Sequence, residues 1–176
     1  AHFVSNLYKM RTYKENDLTY DSFNKGKLES QLAYDGNYKA YFEFIADSLK
    51  RYSSQRDKQK GEAFVHGFTL AMTSQNQFYR PISELDNDGG YADIFLSPLC
   101  DIYKDMVDSY IIELKYSKTN TADEQLQVLF KEASAQICRY ANSDIVKESV
   151  KTTKLHKLVV IYRGAEMVMC EEVTEE

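Results

Sequence analysis

From Tyr38 onward apolar side chains recur at steps of three or four residues, through Tyr41, Phe42, Ile45, Leu49 and Tyr52. That spacing predicts an amphipathic helix, entered from the turn signal Tyr34-Asp35-Gly36-Asn37. The stretch before it, to about Leu32 and Ala33, is polar and tyrosine-rich with weak periodicity, and Ser53 to Lys60 is a charged connection. Phe64, Phe68 and Ala71 or Met72 predict a further helix from about Gly61 to Met72. The period then changes. Phe78 to Ser83, Gly90 to Leu96 and Tyr110 to Tyr116 read as strands, with Asp86-Asn87-Asp88-Gly89-Gly90 turning between the first two and Pro98 to Asp108 looping to the third. Ala122 to Asn142 returns to helical spacing, with Leu126, Leu129 or Phe130, Ala133, Ile137 and Tyr140 on one side. Leu155 to Tyr162 is a strand, and Arg163-Gly164-Ala165 turns into a last one, Glu166 to Val173.

A long helix between two strands implies a right-handed parallel crossover, whereas the short connections suit antiparallel neighbours. The expected fold is therefore α/β in the α+β mixed sense, a mixed sheet of four to five strands flanked by helices. Residues 1–58 are expected to form a helical N-terminal extension, the end of an upstream domain being one reading of it, and residues 59–176 the sheet domain. The chain opens on Ala1 rather than Met, which suggests an excised fragment or a trimmed terminus, a missing upstream domain being one reading of it.

At 176 residues the chain is long enough for a proper core. No apolar run approaches the roughly 20 residues that cross a membrane, and no signal-peptide pattern is present. Cys100, Cys138 and Cys170 are odd in number and widely spaced, so no disulfide framework is implied and cytoplasm is the expected compartment. The net charge of −5 argues against a broad nucleic-acid surface, because such binding rests on neutralising phosphates. Part of that deficit lies in the tail acids Glu171, Glu172, Glu175 and Glu176. Basic residues cluster at Lys50, Arg51, Arg56, Lys58 and Lys60, and again at Lys147, Lys151, Lys154 and Lys157; either cluster could track a backbone or be a solvated face.

Chemistry concentrates in two of the strands. Gly90-Tyr91-Ala92-Asp93-Ile94-Phe95-Leu96 carries one Asp in an apolar run, and Tyr110-Ile111-Ile112-Glu113-Leu114-Lys115-Tyr116 carries a Glu-x-Lys pair. Charge in a buried strand is costly unless it is compensated. Alternation puts Glu113 and Lys115 on one face and Asp93 on the face of Phe95. If the strands pair, Asp93 and Glu113 converge on one cation with Lys115 beside them. Hard oxygen ligands of this kind suit Mg²⁺ or Mn²⁺, and a phosphate oxygen would complete the set. Alone, the Glu-x-Lys pair would be an ordinary ion pair of a half-exposed strand; Asp93 upstream tips the reading toward metal-dependent phosphodiester hydrolysis.

Asp93 followed by Glu113-x-Lys115 resembles the PD-(D/E)xK nuclease superfamily, whose core is a small mixed sheet flanked by helices, the restriction-endonuclease-like fold. Gln136-Ile137-Cys138-Arg139-Tyr140 resembles the Gln-x-x-x-Tyr helix of RecB-type members, and Gly61-Glu62-Ala63-Phe64-Val65-His66-Gly67 their first core helix. The arrangement is most similar to the nuclease-like domain at the C-terminus of bacterial AAA-ATPase-like proteins. The resemblance implies catalysis by Asp93, Glu113 and Lys115, a metal held by Asp93, Glu113 and Glu62, and phosphate or substrate contacts from Gln136, Tyr140, His66 and Arg139. It also implies a nucleic-acid substrate, DNA before RNA, and an ATPase-like segment in the same protein. Ala92 stands where the superfamily pattern places Pro, and Tyr91 where relatives of this subgroup carry Arg.

Each secondary candidate has a plainer reading. Glu62 and His66 share a helix face, where Glu62 would be a first-turn acid favoured by the dipole and His66 a half-buried ring. Gln136 and Tyr140 could be the edge of an amphipathic helix, and Arg139 a surface cation. Glu84-x-Asp86-x-Asp88-Gly89 imitates a calcium loop, but Phe95 stands where that loop needs Glu. The three histidines and three cysteines lack zinc spacing, and no Gly-rich phosphate loop or nucleophile elbow is present. Two functions remain: a metal-dependent nuclease, and a non-catalytic interaction or regulatory module of the same fold.

Overall fold

A computed structural model describes residues 22–52, 61–87 and 90–174. The expected connection Ser53–Lys60, the basic residues Arg56, Lys58 and Lys60, the centre of the turn at Asp88 and Gly89, the tail acids Glu175 and Glu176, and most of the tyrosine-rich N-terminal stretch lie outside the described residues.

The described elements run α1 (Ser22–Tyr34), α2 (Tyr38–Tyr52), α3 (Glu62–Thr73), β1 (Tyr79–Asn87), β2 (Gly90–Pro98), β3 (Asp108–Ser117), α4 (Asp123–Ala141), α5 (Asp144–Val150), β4 (Lys154–Arg163) and β5 (Glu166–Glu172). The strands form one sheet in chain order. β1–β2, β2–β3 and β4–β5 pair antiparallel, while β3 and β4 pair parallel from Asp108↔Lys154 to Ser117↔Arg163. The parallel pair is the one joined through helices, because α4 and α5 fill the connection. The architecture is the mixed, helix-flanked five-stranded sheet expected from the sequence.

Two apolar layers sandwich the sheet. On one face Ile94, Leu96, Tyr110, Ile112, Leu114, Leu158 and Val160 pack with Leu32 of α1, Tyr41, Phe42 and Ile45 of α2, and Val65 of α3. On the other face Phe95, Ile111, Val159 and Ile161 pack with Leu126, Ala133, Ile137 and Tyr140 of α4 and Val146 of α5. β3 and β4 are covered on both sides, which is why they read as nearly continuous apolar runs. Tyrosine hydroxyls tie the first layer to α1: Tyr110 donates to the Leu32 carbonyl at 2.7 Å and Tyr79 lies 3.3 Å from the same carbonyl, while also donating to the Asp108 carbonyl of β3 at 2.8 Å.

Three differences from the sequence reading have physical causes. α1 forms where periodicity is weak because its buried side includes Lys25 and Glu29, an i,i+4 ion pair at 3.2 Å. Lys25 also donates to Gln75, just beyond α3, so charged residues occupy positions where apolar ones would have marked the helix. α5 is only seven residues long, with Ser143 as its N-cap accepting from the Val146 N–H at 3.4 Å. β1 runs on to Asn87, beyond the expected end at Ser83, because it keeps pairing as far as Asn87↔Gly90. The β4–β5 turn needs its glycine. Gly164 has φ 64°, and a Cβ there would meet the Thr119 hydroxyl at 2.9 Å.

No helix among the described residues is long and apolar enough to cross a membrane.

Candidate active site

The β2–β3 ladder pairs Leu96↔Tyr110, Phe95↔Ile111 and Ile94↔Ile112, and it goes no further toward Asp93. There a side chain takes over from the main chain. Asp93 Oδ2 accepts a 2.7 Å hydrogen bond from the Leu114 N–H. One carboxylate oxygen of β2 is thereby anchored on β3 beside Glu113, in the gap where the strands stop pairing. Alternation puts Glu113 and Lys115 on the face of Ile111, and the Lys115 Nζ donates to Glu113 Oε1 at 2.7 Å.

Glu113 is only 3% exposed, and its second oxygen, Oε2, has no hydrogen-bond partner among the described residues. Its neighbour in register on β4 is Val159, which leaves it an apolar flank. Burial pushes its carboxyl up to about 7; the bond from Lys115 opposes that shift, and the charge of Asp93 adds to it. Burial also raises Asp93 above the ordinary carboxylate range, with Glu62 adding to that effect and the Leu114 N–H, Lys115 and His66 opposing it. Burial pulls Lys115 down, but Glu113, Asp93 and Glu62 outweigh it, so this ammonium stands above the usual lysine value. The site is thus short of positive charge: two carboxyls hold protons more tightly than usual around one firmly charged lysine.

That imbalance has a consequence for stability. A carboxyl with a folded pKa above its unfolded value stabilises the fold through its protonated form, and the contribution is lost as pH rises from about 4.5 to about 7. In metal-free buffer the wild-type chain should therefore lose stability relative to Glu113→Gln between pH 5 and pH 8. The expected loss is on the order of 2 kcal/mol, since one pKa unit corresponds to about 1.4 kcal/mol. Urea unfolding of both chains at the two pH values checks this, and parallel curves would contradict it.

The other expected site residues divide into two groups. Glu62 and His66 line the same cleft as Asp93 and Leu114, a cavity of about 390 Å³ that also includes Ala63. Glu62 is exposed in the first turn of α3, and His66 is half-buried. The His66 Nε2 lies 3.1 Å from the Asp93 carbonyl and 3.4 Å from the Ser83 hydroxyl. Gln136, Arg139 and Tyr140 sit on α4 and are not among the residues lining this cleft. Tyr140 is buried in the apolar layer with Phe95 and Ile111, Gln136 is half-buried, and Arg139 is exposed.

Among the described residues no three His, Cys, Asp or Glu side chains gather as a ready ligand cluster. Asp93 and Glu113 are the carboxylates brought to one place, with Glu62 across the cleft. The donor set still fits a hard divalent ion. Mg²⁺ commonly takes only one or two protein carboxylates, and the buried Oε2 of Glu113, without a donor among the described residues, is an oxygen free to coordinate one. Two contributors were invisible to sequence reasoning, the Leu114 N–H and Ser83. The first acts through its backbone and the second across the β1–β2 pairing, so neither leaves a mark in local spacing.

The PD-(D/E)XK nuclease superfamily model matches residues 60–172 of the chain. No curated protein and no solved structure matches it.

Proposed function

Since the chain belongs to the PD-(D/E)XK nuclease superfamily, we propose that it is a metal-dependent nuclease domain that hydrolyses phosphodiester bonds, with DNA as its substrate. The observation that carries this reading is the pairing of an anchored Asp93 with the buried, half-partnered Glu113 beside a charged Lys115. Asp93 and Glu113 would hold the ion, with Glu62 a further carboxylate lining the cleft. A Mg²⁺ or Mn²⁺ bound there supplies Lewis-acid polarisation of the phosphate and acidifies a water.

The protein's own groups carry the remaining roles. Water oxygen bonds to phosphorus and releases a proton to solvent, the bond from phosphorus to the leaving sugar oxygen breaks, and that oxygen takes up a proton from solvent. Lys115, held by Glu113 and kept charged by three carboxylates, suits stabilising the charge that develops on the phosphoryl oxygens. The same strong charge makes it a poor general base, so its contribution is electrostatic and positional. On α4, Gln136 and Arg139 are the candidates to touch the nucleic-acid backbone, with Tyr140 supporting that helix from the core. The resemblance to nuclease-like domains of AAA-ATPase-like proteins supports an ATPase-like segment as partner.

A second reading rests on the acidic balance of the chain, −5 overall. It makes the domain a nuclease-fold interaction or regulatory module without catalysis. Cleavage of single-stranded, duplex and branched DNA and of RNA, with Mg²⁺ or Mn²⁺, separates the two. Activity in the native chain that disappears in Glu113→Ala is the expected result, and it names the substrate. Equal background in both chains would overturn the nuclease reading in favour of the second.

A further inference from the structure

Ala92 and Ile94, the neighbours of Asp93, pair with β1, but on the β3 side Asp93 has to be held in place without ladder bonds. The β2–β3 ladder ends at Ile94↔Ile112, so β3 offers this residue no paired main chain. Its own N–H bonds the Glu113 carboxylate, and two further bonds hold the rest of the residue. On the side-chain side, Oδ2 accepts from the Leu114 N–H. On the main-chain side, its carbonyl oxygen lies 3.1 Å from His66 Nε2. A carbonyl only accepts, so Nε2 must carry the proton and donate.

We infer that His66 is a positioning residue for Asp93: its Nε2–H fixes the Asp93 carbonyl and thereby keeps the Asp93 carboxylate on the Leu114 N–H and turned toward Glu113. This rests on the nuclease reading for its purpose, though not for its geometry.

The helix that carries His66 is well suited to the task. Val65, the preceding residue, is buried in the apolar layer, and Thr69 is wholly buried with its hydroxyl bonded to the Val65 carbonyl at 2.8 Å. The helix therefore cannot roll without unpacking its inner face, and His66 is presented to β2 at a fixed height. Ser83 of β1 lies 3.4 Å from the same ring nitrogen, so one imidazole joins α3 to the Asp93 strand and its neighbour. With Nε2 spent in this way, the ring acts on the reaction through Asp93. It does so as a second layer that orients a ligand, a role whose loss costs roughly 10- to 100-fold in metal affinity or activity.

The test has three parts. In the wild-type chain, ¹⁵N chemical shifts of the ring should report the Nε2–H tautomer at pH 8; the opposite tautomer would overturn the inference with no variant needed. Amide exchange at Leu114 reads the anchor directly. It should accelerate about tenfold or more in His66→Ala and return close to the wild-type rate in His66→Gln, whose side-chain amide can supply the same donor. Unchanged protection in His66→Ala would refute the role, as would a His66→Gln chain no better than His66→Ala. Cleavage with Mg²⁺ forms the third part, with kcat falling roughly 10- to 100-fold in His66→Ala and recovering in His66→Gln while KM moves little. A chain with the expected tautomer and exchange pattern but no cleavage would leave the positioning role standing and bring down the nuclease reading alone.

Discussion

Replacing Lys115 by Ala should lower the single-turnover rate of metal-dependent cleavage by about 10³-fold, with little change in substrate affinity. A loss of that size corresponds to about 4 kcal/mol of transition-state stabilisation, within the range for removing one preorganised charge from a water-poor site. The expectation rests on the 2.7 Å bond to Glu113, which fixes the ammonium, and on the carboxylates that keep it charged. Lys115→Met should fail equally, because it keeps the aliphatic stem and loses only the charge. Both chains should fold, since the Lys115 side chain is 21% exposed and its removal opens no sealed cavity. A Lys115→Met chain that cleaves within about tenfold of wild type would remove Lys115 from the reaction.

The second large effect lies at the opposite end of β3 and concerns stability alone. His156, only 4% exposed, stands between two carboxylates: Nε2 lies 2.8 Å from Asp108 Oδ1, and Nδ1 lies 2.9 Å from Glu172 Oε1. Its ring stacks on Tyr110, with centroids 4.9 Å apart. His156→Ala removes a packed ring and leaves the buried Asp108 without its partner, so the expected cost is about 3–5 kcal/mol. For a chain of this length that corresponds to a fall in Tm of roughly 6–20 °C. Adding Asp108→Asn to His156→Ala should recover part of the loss, because the stranded charge is then gone and the two changes share one partner. Thermal unfolding of the three chains decides it. A His156→Ala chain within about 1 kcal/mol of wild type would mean that the cluster is solvated and worth little.

The contrast between these two clusters marks how far the sequence was legible. Asp93, Glu113 and Lys115 could be found because each interrupts an apolar strand, and the Glu-x-Lys spacing alone puts two of them on one face. Asp108, His156 and Glu172 could not be found. They sit at the starts of β3 and β4 and the end of β5, and only the parallel register, Tyr110↔His156, and the hairpin beside it bring them together. The sheet itself was readable for a similar reason: β3 and β4 are apolar on both faces, and the long helix between them dictates a parallel pair. α1 hid because its inner side includes Lys25 and Glu29, and α5 because two turns are too few to establish a period. The bond from Asp93 to the Leu114 N–H and that from His66 to the Asp93 carbonyl each use a backbone group, which carries no residue identity to read.

One consequence concerns where this protein can be cut. The family match begins at residue 60, yet Leu32, Tyr41, Phe42 and Ile45 fill the same apolar layer as Ile94, Leu96, Tyr110 and Ile112. A fragment trimmed to the matched segment would carry every residue of the proposed chemistry but lose α1 and α2, keeping only α3 over that face of its sheet. Such a fragment would behave as an adhesive slab prone to self-association, and its silence in an activity assay would report the missing lid of hydrocarbon rather than the chemistry beneath. The smallest faithful piece for any experiment here starts no later than Ser22.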